Sequence, residues 1–323
     1  MTDRIITLEG PGGVDKFRVD RQTLVAPLDH EIRIRHQAIG TNFLDIYHRK
    51  GIYTLPSYPA VIGAEAAGIV DAVGRDVTDI KPGDRVAYAG PLVGAYATTR
   101  TIPAEKVIIL PSDIPAKVAA SSLLKGMTAF MMLECICSVK EGDTILIHAS
   151  AGGLGGLLVR WARSLGATVI GTASSAAKAA VAVSHGANHV IVGRDVDLVA
   201  EVRAYTHGEG VSIAFDGIGA DMLVKSIRAT RPFGTVLTIG QVAGPIPPIA
   251  VEELRPGKTL CHPSIMAWCG DHERFKKAAQ AAIRAMEAGL TSSIAATFDL
   301  GQVAQAHQMM EQGESSGSIL LIP

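Results

Sequence analysis

Residues 143–167 read DTILIHASAGGLGGLLVRWARSLGA, and this stretch decides the fold class. The apolar run from Thr144 to His148 is typical of a buried strand, and a glycine-rich turn follows it at once. Beyond the turn, apolar residues recur at helical spacing at Leu154, Leu157, Leu158, Trp161 and Leu165. A strand, a glycine turn and a helix in this order predict a dinucleotide site, because the helix N-terminus attracts a pyrophosphate and glycines let it approach.

The turn itself reads S-A-G-G-L-G, so Ser150 stands where the G-x-G-x-x-G pattern has its first glycine. We predict that the turn contacts the cofactor through Ala151, Gly152, Gly153, Leu154 and Gly155. Close packing of a strand against a helix can also produce a glycine turn, and this alternative stays open.

The residues after the next strand indicate NADPH rather than NADH. In NADH enzymes an acidic residue about 20 positions further on holds the ribose 2′-hydroxyl. That position is Thr172, followed by Ser174 and Lys178, so no carboxylate repels a 2′-phosphate, and hydroxyls and an ammonium can receive it. Lys178 has the alternative interpretation of a solvated helix residue.

The rest of the chain predicts two domains of different type. The first third has short alternating runs separated by turn residues, which is typical of strands. From about Ala116, strands alternate with helices, which predicts a doubly wound parallel sheet. A helix over about Asp271–Ala288 and a strand in SGSILLIP close the chain, and this strand should pair with the N-terminal strands. The predicted domains are therefore 1–120 with 268–323, and 121–267.

Composition excludes several classes of protein. Lys and Arg number 30 against 31 Asp and Glu, so neither nucleic acid nor an anionic membrane is an expected partner. No stretch looks long and apolar enough to span a membrane, and MTDRIITLEG lacks the order of a signal peptide, so a cytoplasmic protein is expected. The four cysteines fit neither a disulfide framework nor a paired zinc motif and should be buried free thiols.

Motifs from end to end resemble those of the medium-chain dehydrogenase/reductase superfamily, within it the zinc-free quinone oxidoreductases related to ζ-crystallin. They are TNFLDIYHRKGIY, VIGAEAAGIVDAVG, IKPGDRVAY, AASSLLKGMTAF, HASAGGLGG, GATVIGT, AFDGIG and ILLIP. The resemblance implies an α/β fold, in which a Rossmann domain with a doubly wound parallel sheet accompanies a β-rich GroES-like catalytic domain. It also implies a homodimer, joined through the segment around Thr259 to Ile265.

Positions that hold catalytic zinc in the alcohol dehydrogenases of this superfamily correspond here to Asn42, Ala64 and Leu124. None of these side chains offers the thiolate or imidazole that zinc requires. Without a Lewis acid, the acceptor should take hydride readily, as a quinone or an α,β-unsaturated carbonyl does.

The resemblance further implies that Asn42, Tyr47 and Tyr53 act at an interdomain cleft. It implies cofactor contacts from Asn42, Lys125, Thr128, Ile218, Ile239, Gly240, Gln241, Ser264 and Ile265. Gly193 and Gly313 stand where relatives often place residues on the 2′-phosphate, and Arg194 is the expected substitute. We interpret Glu65 and His148 as structural residues, and Tyr47 and Tyr53 have the alternative of packing the cleft wall.

Two competing functions remain open at this point. An enoyl-thioester reductase of the same superfamily would share the fold, the NADPH site and the lack of zinc. A non-catalytic NADPH-binding protein, crystallin-like or RNA-binding, is the alternative from another class, although the balanced charge disfavours RNA.

Overall fold

A computed structural model describes residues 3–323, so the first two residues of the N-terminal segment lie outside the described part of the chain. The chain divides into two compact units, one of residues 1–127 with 266–323 and one of residues 128–265. The predicted boundary at 120/121 and this division at 127/128 both lie within one helix, Ala116–Phe130.

The N-terminal segment is built mainly of strands, as its alternating pattern predicts. In chain order it contains β1 (Arg4–Leu8), β2 (Phe17–Arg21), β3 (Glu31–Thr41), α1 (Phe43–Arg49), β4 (Glu65–Val73), β5 (Arg85–Ala89), β6 (Thr99–Pro103), β7 (Ile108–Ile109) and α2 (Ala116–Phe130). A π-helical segment, Met131–Ile136, continues α2.

The middle segment alternates strands with helices. It contains β8 (Thr144–Ile147), α3 (Gly153–Ser164), β9 (Thr168–Ala173), α4 (Ala176–Ser184), β10 (His189–Val192), α5 (Leu198–Tyr205), β11 (Val211–Asp216), α6 (Met222–Ala229), β12 (Thr230–Thr238) and β13 (Thr259–Cys261). The six strands are parallel, in the order β10-β9-β8-β11-β12-β13. This is the doubly wound order of a dinucleotide fold, which confirms the predicted fold class.

The C-terminal segment returns to the first unit. It contains α7 (Ile265–Trp268), α8 (His272–Glu287), β14 (Ile294–Asp299), α9 (Val303–Glu311) and β15 (Ser318–Ile322). The last strand, β15, lies antiparallel to β3, in a sheet of order β14-β15-β3-β4-β5-β7 to which β6 also pairs. The pairing that the sequence predicts for the terminal strand is therefore present.

Each unit has its own apolar core. The first core packs isoleucines and valines of β3, β4 and β5 against α9 and the rings of Tyr88 and Tyr96. The second packs the parallel strands against α5 and α6. The apolar face of α3 contributes Leu157, Leu158 and Trp161, which are buried as the helical spacing predicts.

Two expectations from composition need correction. The segment Ala116–Ile136 is long and apolar enough to cross a membrane, so the expectation that no stretch qualifies was wrong; 83% of its apolar window is buried in the protein, as in core helices of soluble proteins. The cysteines are free, but only Cys269 is buried, while Cys135, Cys137 and Cys261 are half-buried. Burial raises the pKa of the Cys137 and Cys269 thiols to about 12, so both are protonated at neutral pH.

Candidate active site

A buried polar cluster of Asn42, Glu65 and Lys125 lies in the first unit. The Lys125 ammonium donates to Asn42 Oδ1 at 2.8 Å and to Glu65 Oε1 at 3.1 Å. Asn42 Nδ2 donates to the same Glu65 oxygen at 2.8 Å, and the backbone N–H of Leu124 donates to Glu65 Oε2 at 2.9 Å. The Glu65 side chain is fully buried, so its charge depends on the adjacent ammonium.

The local sequence explains why a carboxylate fits at this point. Glu65 begins β4 and lies opposite Gly40 of β3. A Cβ atom on Gly40 would lie 2.5 Å from Glu65 Oε1 and 2.2 Å from the carbonyl oxygen of Ala120. Only glycine at position 40 therefore leaves room for both the Glu65 side chain and α2.

Asn42 is further held through its backbone by a second buried group, Asp45. Asp45 Oδ2 accepts the Asn42 backbone N–H at 2.8 Å and the Tyr96 hydroxyl at 3.0 Å. The Tyr96 oxygen also lies 2.9 Å from Nε2 of His307. Burial raises the pKa of Asp45 to about 7, and it lowers that of His307 to about 3. The start of α1, and with it Asn42, thus depends on an interior polar network.

The predicted tyrosines lie together, next to this cluster in the chain. The rings of Tyr47 and Tyr53 are 5.3 Å apart between centroids and meet edge to face. Tyr47 is buried on α1, and Tyr53 is half-buried in the loop that follows α1. Their mutual packing agrees with the alternative in which both rings only pack against the wall of a cleft. Their position in the sequence near Asn42 also agrees with the catalytic role that the resemblance implies.

The glycine turn lies between β8 and α3 of the second unit, where the sequence places it. The carbonyl oxygen of Ala149 accepts the Gly152 N–H at 2.8 Å. A Cβ atom on Gly155 would lie 2.2 Å from that same oxygen, so the turn closes only with glycine at position 155. The helix α3 then begins at Gly153, and its first N–H groups are the ones that an anion would meet.

The predicted contacts after the later strands also come together. The N–H groups of Ile218 and Gly219 both donate to Asp216 Oδ1, at 2.7 and 3.0 Å. A Cβ atom on Gly240 would lie 2.2 Å from the carbonyl oxygen of Gly217, so the loops after β11 and β12 touch. Ile239 and Gln241, beside Gly240, are half-buried.

Ser264 and Ile265 follow β13 at the same end of the sheet as the loops after β11 and β12. Ser264 is exposed and Ile265 is half-buried. His262 Nδ1 lies 2.8 Å from the carbonyl oxygen of Thr238, which ties this segment to the end of β12. On α2, Lys125 and Thr128 are both nearly buried, one helical turn apart.

Two cations lie close together after β9 and β10. Lys178 is on α4, and Arg194 is exposed just beyond β10. Partial burial and the charge of Arg194 together lower the pKa of Lys178. Neighbouring cations repel each other, and an anion such as a 2′-phosphate would relieve that repulsion. Ser174 is exposed beside them, and Ser175, rather than Ser174, caps α4.

Thr172 has a different environment from the one expected. Its hydroxyl oxygen accepts the Ala149 N–H at 3.3 Å and lies 3.1 Å from Nδ1 of His148. The hydroxyl thus has partners within the protein, and the role of Thr172 as a cofactor contact near the 2′-phosphate stays a prediction. Sequence reasoning gave no role to four residues of the interior networks: Asp216, Ser226, Tyr96 and His307. Asp216 belongs to the AFDGIG motif, which carries the family resemblance but does not indicate the partners of this carboxylate.

The positions that would bind zinc converge on the buried cluster without providing ligands. Asn42 and Leu124 both bond to Glu65, the residue after Ala64. Throughout residues 3–323, no group of three or more His, Cys, Asp or Glu could hold a metal ion. The side-chain chemistry at this point is that of an amide, a carboxylate and an ammonium.

Comparisons with known proteins agree with this architecture. Residues 28–112 match the family model of the alcohol dehydrogenase GroES-like domain, and residues 153–284 match that of the zinc-binding dehydrogenases. The chain is 40% identical over 321 residues to 2-haloacrylate reductase of a Burkholderia species, covering 97% of this chain and 96% of the relative. It is 35% identical over 317 residues to quinone oxidoreductase 1 of Escherichia coli, covering 97% of each.

Solved structures are equally similar. The Escherichia coli quinone oxidoreductase complexed with NADPH has a TM-score of 0.94 at 34% identity, with 99% of this chain and 100% of that chain covered. The 2-haloacrylate reductase structure has a TM-score of 0.85 at 38% identity, with 99% of each chain covered. The chain therefore belongs to the quinone oxidoreductase branch of the medium-chain dehydrogenase/reductase superfamily.

Proposed function

We propose that this protein is an NADPH-dependent oxidoreductase that transfers hydride to a quinone or an α,β-unsaturated carbonyl without zinc. The observation that carries the proposal is the Asn42–Glu65–Lys125 cluster. Asn42 stands at one of the three zinc positions and offers an amide instead of a thiolate or imidazole. The carboxylate of the neighbouring Glu65 is bonded to Asn42 and to the Lys125 ammonium. An acceptor that needs no Lewis acid fits this arrangement.

The second unit has the features that NADPH requires. The glycine turn and the start of α3 would hold the pyrophosphate, and Lys178 with Arg194 would hold the 2′-phosphate. The loops of Ile218, Gly240 and Gln241, and the segment Ser264–Ile265, would line the remainder. When bound, the reduced nicotinamide supplies the hydride.

The residues of the first unit would orient the acceptor and stabilise charge. Lys125 donates to the Asn42 side-chain oxygen, and Glu65 accepts one N–H of the Asn42 amide. Within the described residues, this leaves the second N–H of that amide for a ligand. The ammonium of Lys125 places a positive charge beside that amide, and a fixed charge in a buried setting favours negative charge that develops on an acceptor oxygen. We assign Asn42, Tyr47 and Tyr53 as catalytic residues, with the tyrosine hydroxyls as hydrogen-bond donors.

The 2-haloacrylate reductase relative favours a second candidate acceptor, an α,β-unsaturated carboxylate. Its name describes reduction of a conjugated carbon–carbon double bond, and it is similar to this chain over nearly its full length. An acid of this kind differs from a quinone by its permanent negative charge, which the ammonium of Lys125 would attract.

Following NADPH absorbance with separate acceptors tests these proposals. We expect oxidation of NADPH by 1,4-benzoquinone, and faster turnover with NADPH than with NADH. Parallel reactions with 2-chloroacrylate and with crotonyl-CoA identify the acceptor class, and preference for crotonyl-CoA would indicate the enoyl-thioester reductase. NADPH binding without oxidation by any acceptor would contradict the enzyme proposal and favour the non-catalytic alternative.

We further propose a cytoplasmic homodimer that joins two sheets at β13. This short strand pairs with β12 on one side, and in the described chain no strand covers its other edge. Phe233 and Val251, in the same unit, are 80% and 75% exposed, and a partner that covered them would bury apolar surface, which favours association. Light scattering should give twice the chain mass, and T259P should yield monomers. A wild-type monomer would contradict the proposal.

A further inference from the structure

A hydrogen-bonded chain of residues, buried at His148, Ser226 and Asp216, runs through the second unit from the glycine turn to the end of β11. Its members are Ala149, Thr172, His148, Ser226 and Asp216. Nε2 of His148 lies 2.9 Å from the Ser226 hydroxyl, which lies 3.4 Å from Asp216 Oδ2. His148 is 4% exposed, and Ser226 and Asp216 are fully buried.

The direction of each hydrogen bond follows from its donors. The Ala149 N–H can only donate to Thr172 Oγ1, so the Thr172 hydroxyl is free to donate to Nδ1 of His148. Nε2 of His148 then carries the proton and donates to Ser226. The Ser226 hydroxyl donates in turn to Asp216 or to the Met222 carbonyl oxygen, 2.9 Å away. This assignment satisfies every group with a neutral histidine, and burial lowers the pKa of His148 accordingly.

Both ends of the chain hold backbone that the proposed cofactor site requires. At one end Ala149 has a left-handed φ of 49°, unusual for a residue other than glycine, and its carbonyl oxygen faces Gly152 and Gly155. At the other end Asp216 Oδ1 accepts the N–H groups of Ile218 and Gly219. The two loops are more than sixty residues apart in sequence, and this series of hydrogen-bonded side chains links them.

We propose that His148, Thr172, Ser226 and Asp216 act together as positioning residues, which hold the glycine turn and the loop after β11 in the geometry that binds the dinucleotide. The proposal rests on the proposed NADPH function. Its members act through the backbone of Ala149, Ile218 and Gly219, since burial keeps His148, Ser226 and Asp216 from touching a ligand.

The variant S226A tests this because Ser226 is far too buried for a direct contact. We expect the NADPH dissociation constant, measured by fluorescence titration, to rise about tenfold, which corresponds to roughly 1.4 kcal/mol. The Michaelis constant for NADPH with 1,4-benzoquinone should rise in parallel, while kcat at saturating NADPH stays within about twofold of wild type, a change of under roughly half a kcal/mol.

S212A is the matched control. Ser212 is also nearly buried, lies on β11 at the opposite end, and donates to the Thr144 carbonyl oxygen at 2.9 Å. The S212A variant removes a comparable hydroxyl from the same sheet, but one that is not part of the His148 hydrogen-bond series. Its NADPH affinity should therefore stay within about twofold of wild type. An equal loss of affinity in S212A and S226A would overturn the proposal, because general destabilisation would then explain both.

T172V gives a second, independent test, since Thr172 is half-buried and valine matches its shape. We expect T172V to weaken the binding of NADPH and of NADH alike, because the turn that holds the pyrophosphate would be displaced, and T172S to restore both. Loss of a direct contact to the 2′-phosphate would weaken NADPH alone and would contradict a positioning role for Thr172. Thermal unfolding checks that each variant is folded. If S226A does not fold, the T172V result is the test of the proposal. Wild-type affinity in a folded S226A or T172V would overturn the proposal, whereas a wild type that binds no NADPH would instead contradict the proposed function.

Discussion

The two polar networks of this protein place polar side chains in the interior in different ways. The Asn42–Glu65–Lys125 cluster of the first unit buries an ion pair, with a full charge on each of two side chains. The His148 chain of the second unit is neutral along most of its length and reaches a carboxylate only at Asp216. A buried ion pair is costly to break because one charge is left alone, whereas loss of one neutral hydrogen bond leaves a smaller penalty. The first network should therefore govern stability and the second should govern ligand affinity.

K125M tests the charged side of this comparison and should have the largest effect. Removing the ammonium leaves the buried Glu65 carboxylate without a cation, so we expect the free energy of unfolding to fall by about 3 kcal/mol. Urea denaturation measures it. The double variant E65Q/K125M removes both charges and should regain most of the loss; a K125M protein as stable as wild type would contradict the prediction.

G155A tests the second unit at the point where the His148 chain meets the turn. The added Cβ atom would lie 2.2 Å from the Ala149 carbonyl oxygen, so the turn must open. We expect NADPH affinity to fall about 100-fold, or roughly 2.7 kcal/mol. In G152A the nearest atom is 3.2 Å from the added Cβ, so the loss should be smaller. Equal losses would show that any methyl group in the turn blocks the ligand.

D45N tests the contribution of Asp45, which supports Asn42, through the pH dependence of the free energy of unfolding. Burial raises the pKa of Asp45 to about 7, above its ordinary value of 3.8, so this carboxyl stabilises the fold most when protonated. That contribution is complete below about pH 4 and is lost as the pH rises through about 7.

Between about pH 5 and pH 8 we therefore expect D45N to gain about 2 kcal/mol in free energy of unfolding relative to wild type. Tyr96 and His307 are present in both proteins, so their titration cancels in the difference. Urea denaturation at the two pH values measures it, and parallel pH profiles for the two proteins would contradict the assignment.

Dialysis against a chelator should have the smallest effect, with no change in the rate of quinone reduction. The zinc positions Asn42, Ala64 and Leu124 offer no thiolate or imidazole, and the Glu65 carboxylate beside them is paired with Lys125, so no metal should be lost. A decrease in rate that zinc restores would show that a metal, rather than the Lys125 ammonium, supplies the positive charge.

Periodic patterns and local motifs made most of the fold predictable. The glycine turn, the start of α3 at Gly153 and the pairing of the terminal strand β15 with β3 follow from spacing within short segments. The interior networks do not follow in this way. Glu65 and His148 are interpreted from the sequence as structural residues, and both are buried and hydrogen-bonded. Their partners, Lys125 and Ser226, are 60 and 78 residues away, and no pattern in the sequence connects them.

Thr172 also shows that sequence position does not predict which partners a side chain has. Its position in the chain is where a ribose contact is expected, but position does not fix the direction of a hydroxyl, and here that hydroxyl bonds to the Ala149 backbone and to His148. Side-chain orientation depends on which strands become neighbours, which is a property of the assembled sheet.

The pair of cations after β9 and β10 has a practical consequence for protein engineering. Lys178 lies on α4 after β9 and Arg194 lies just beyond the edge strand β10, whereas His148 and the glycine turn follow the central strand β8. Under the proposed assignment of these two cations to the 2′-phosphate, selectivity between the two nicotinamide dinucleotides would be redesigned at the rim of the sheet, without changing the turn proposed to hold the pyrophosphate. A library confined to those two positions would explore coenzyme preference with little risk to the scaffold.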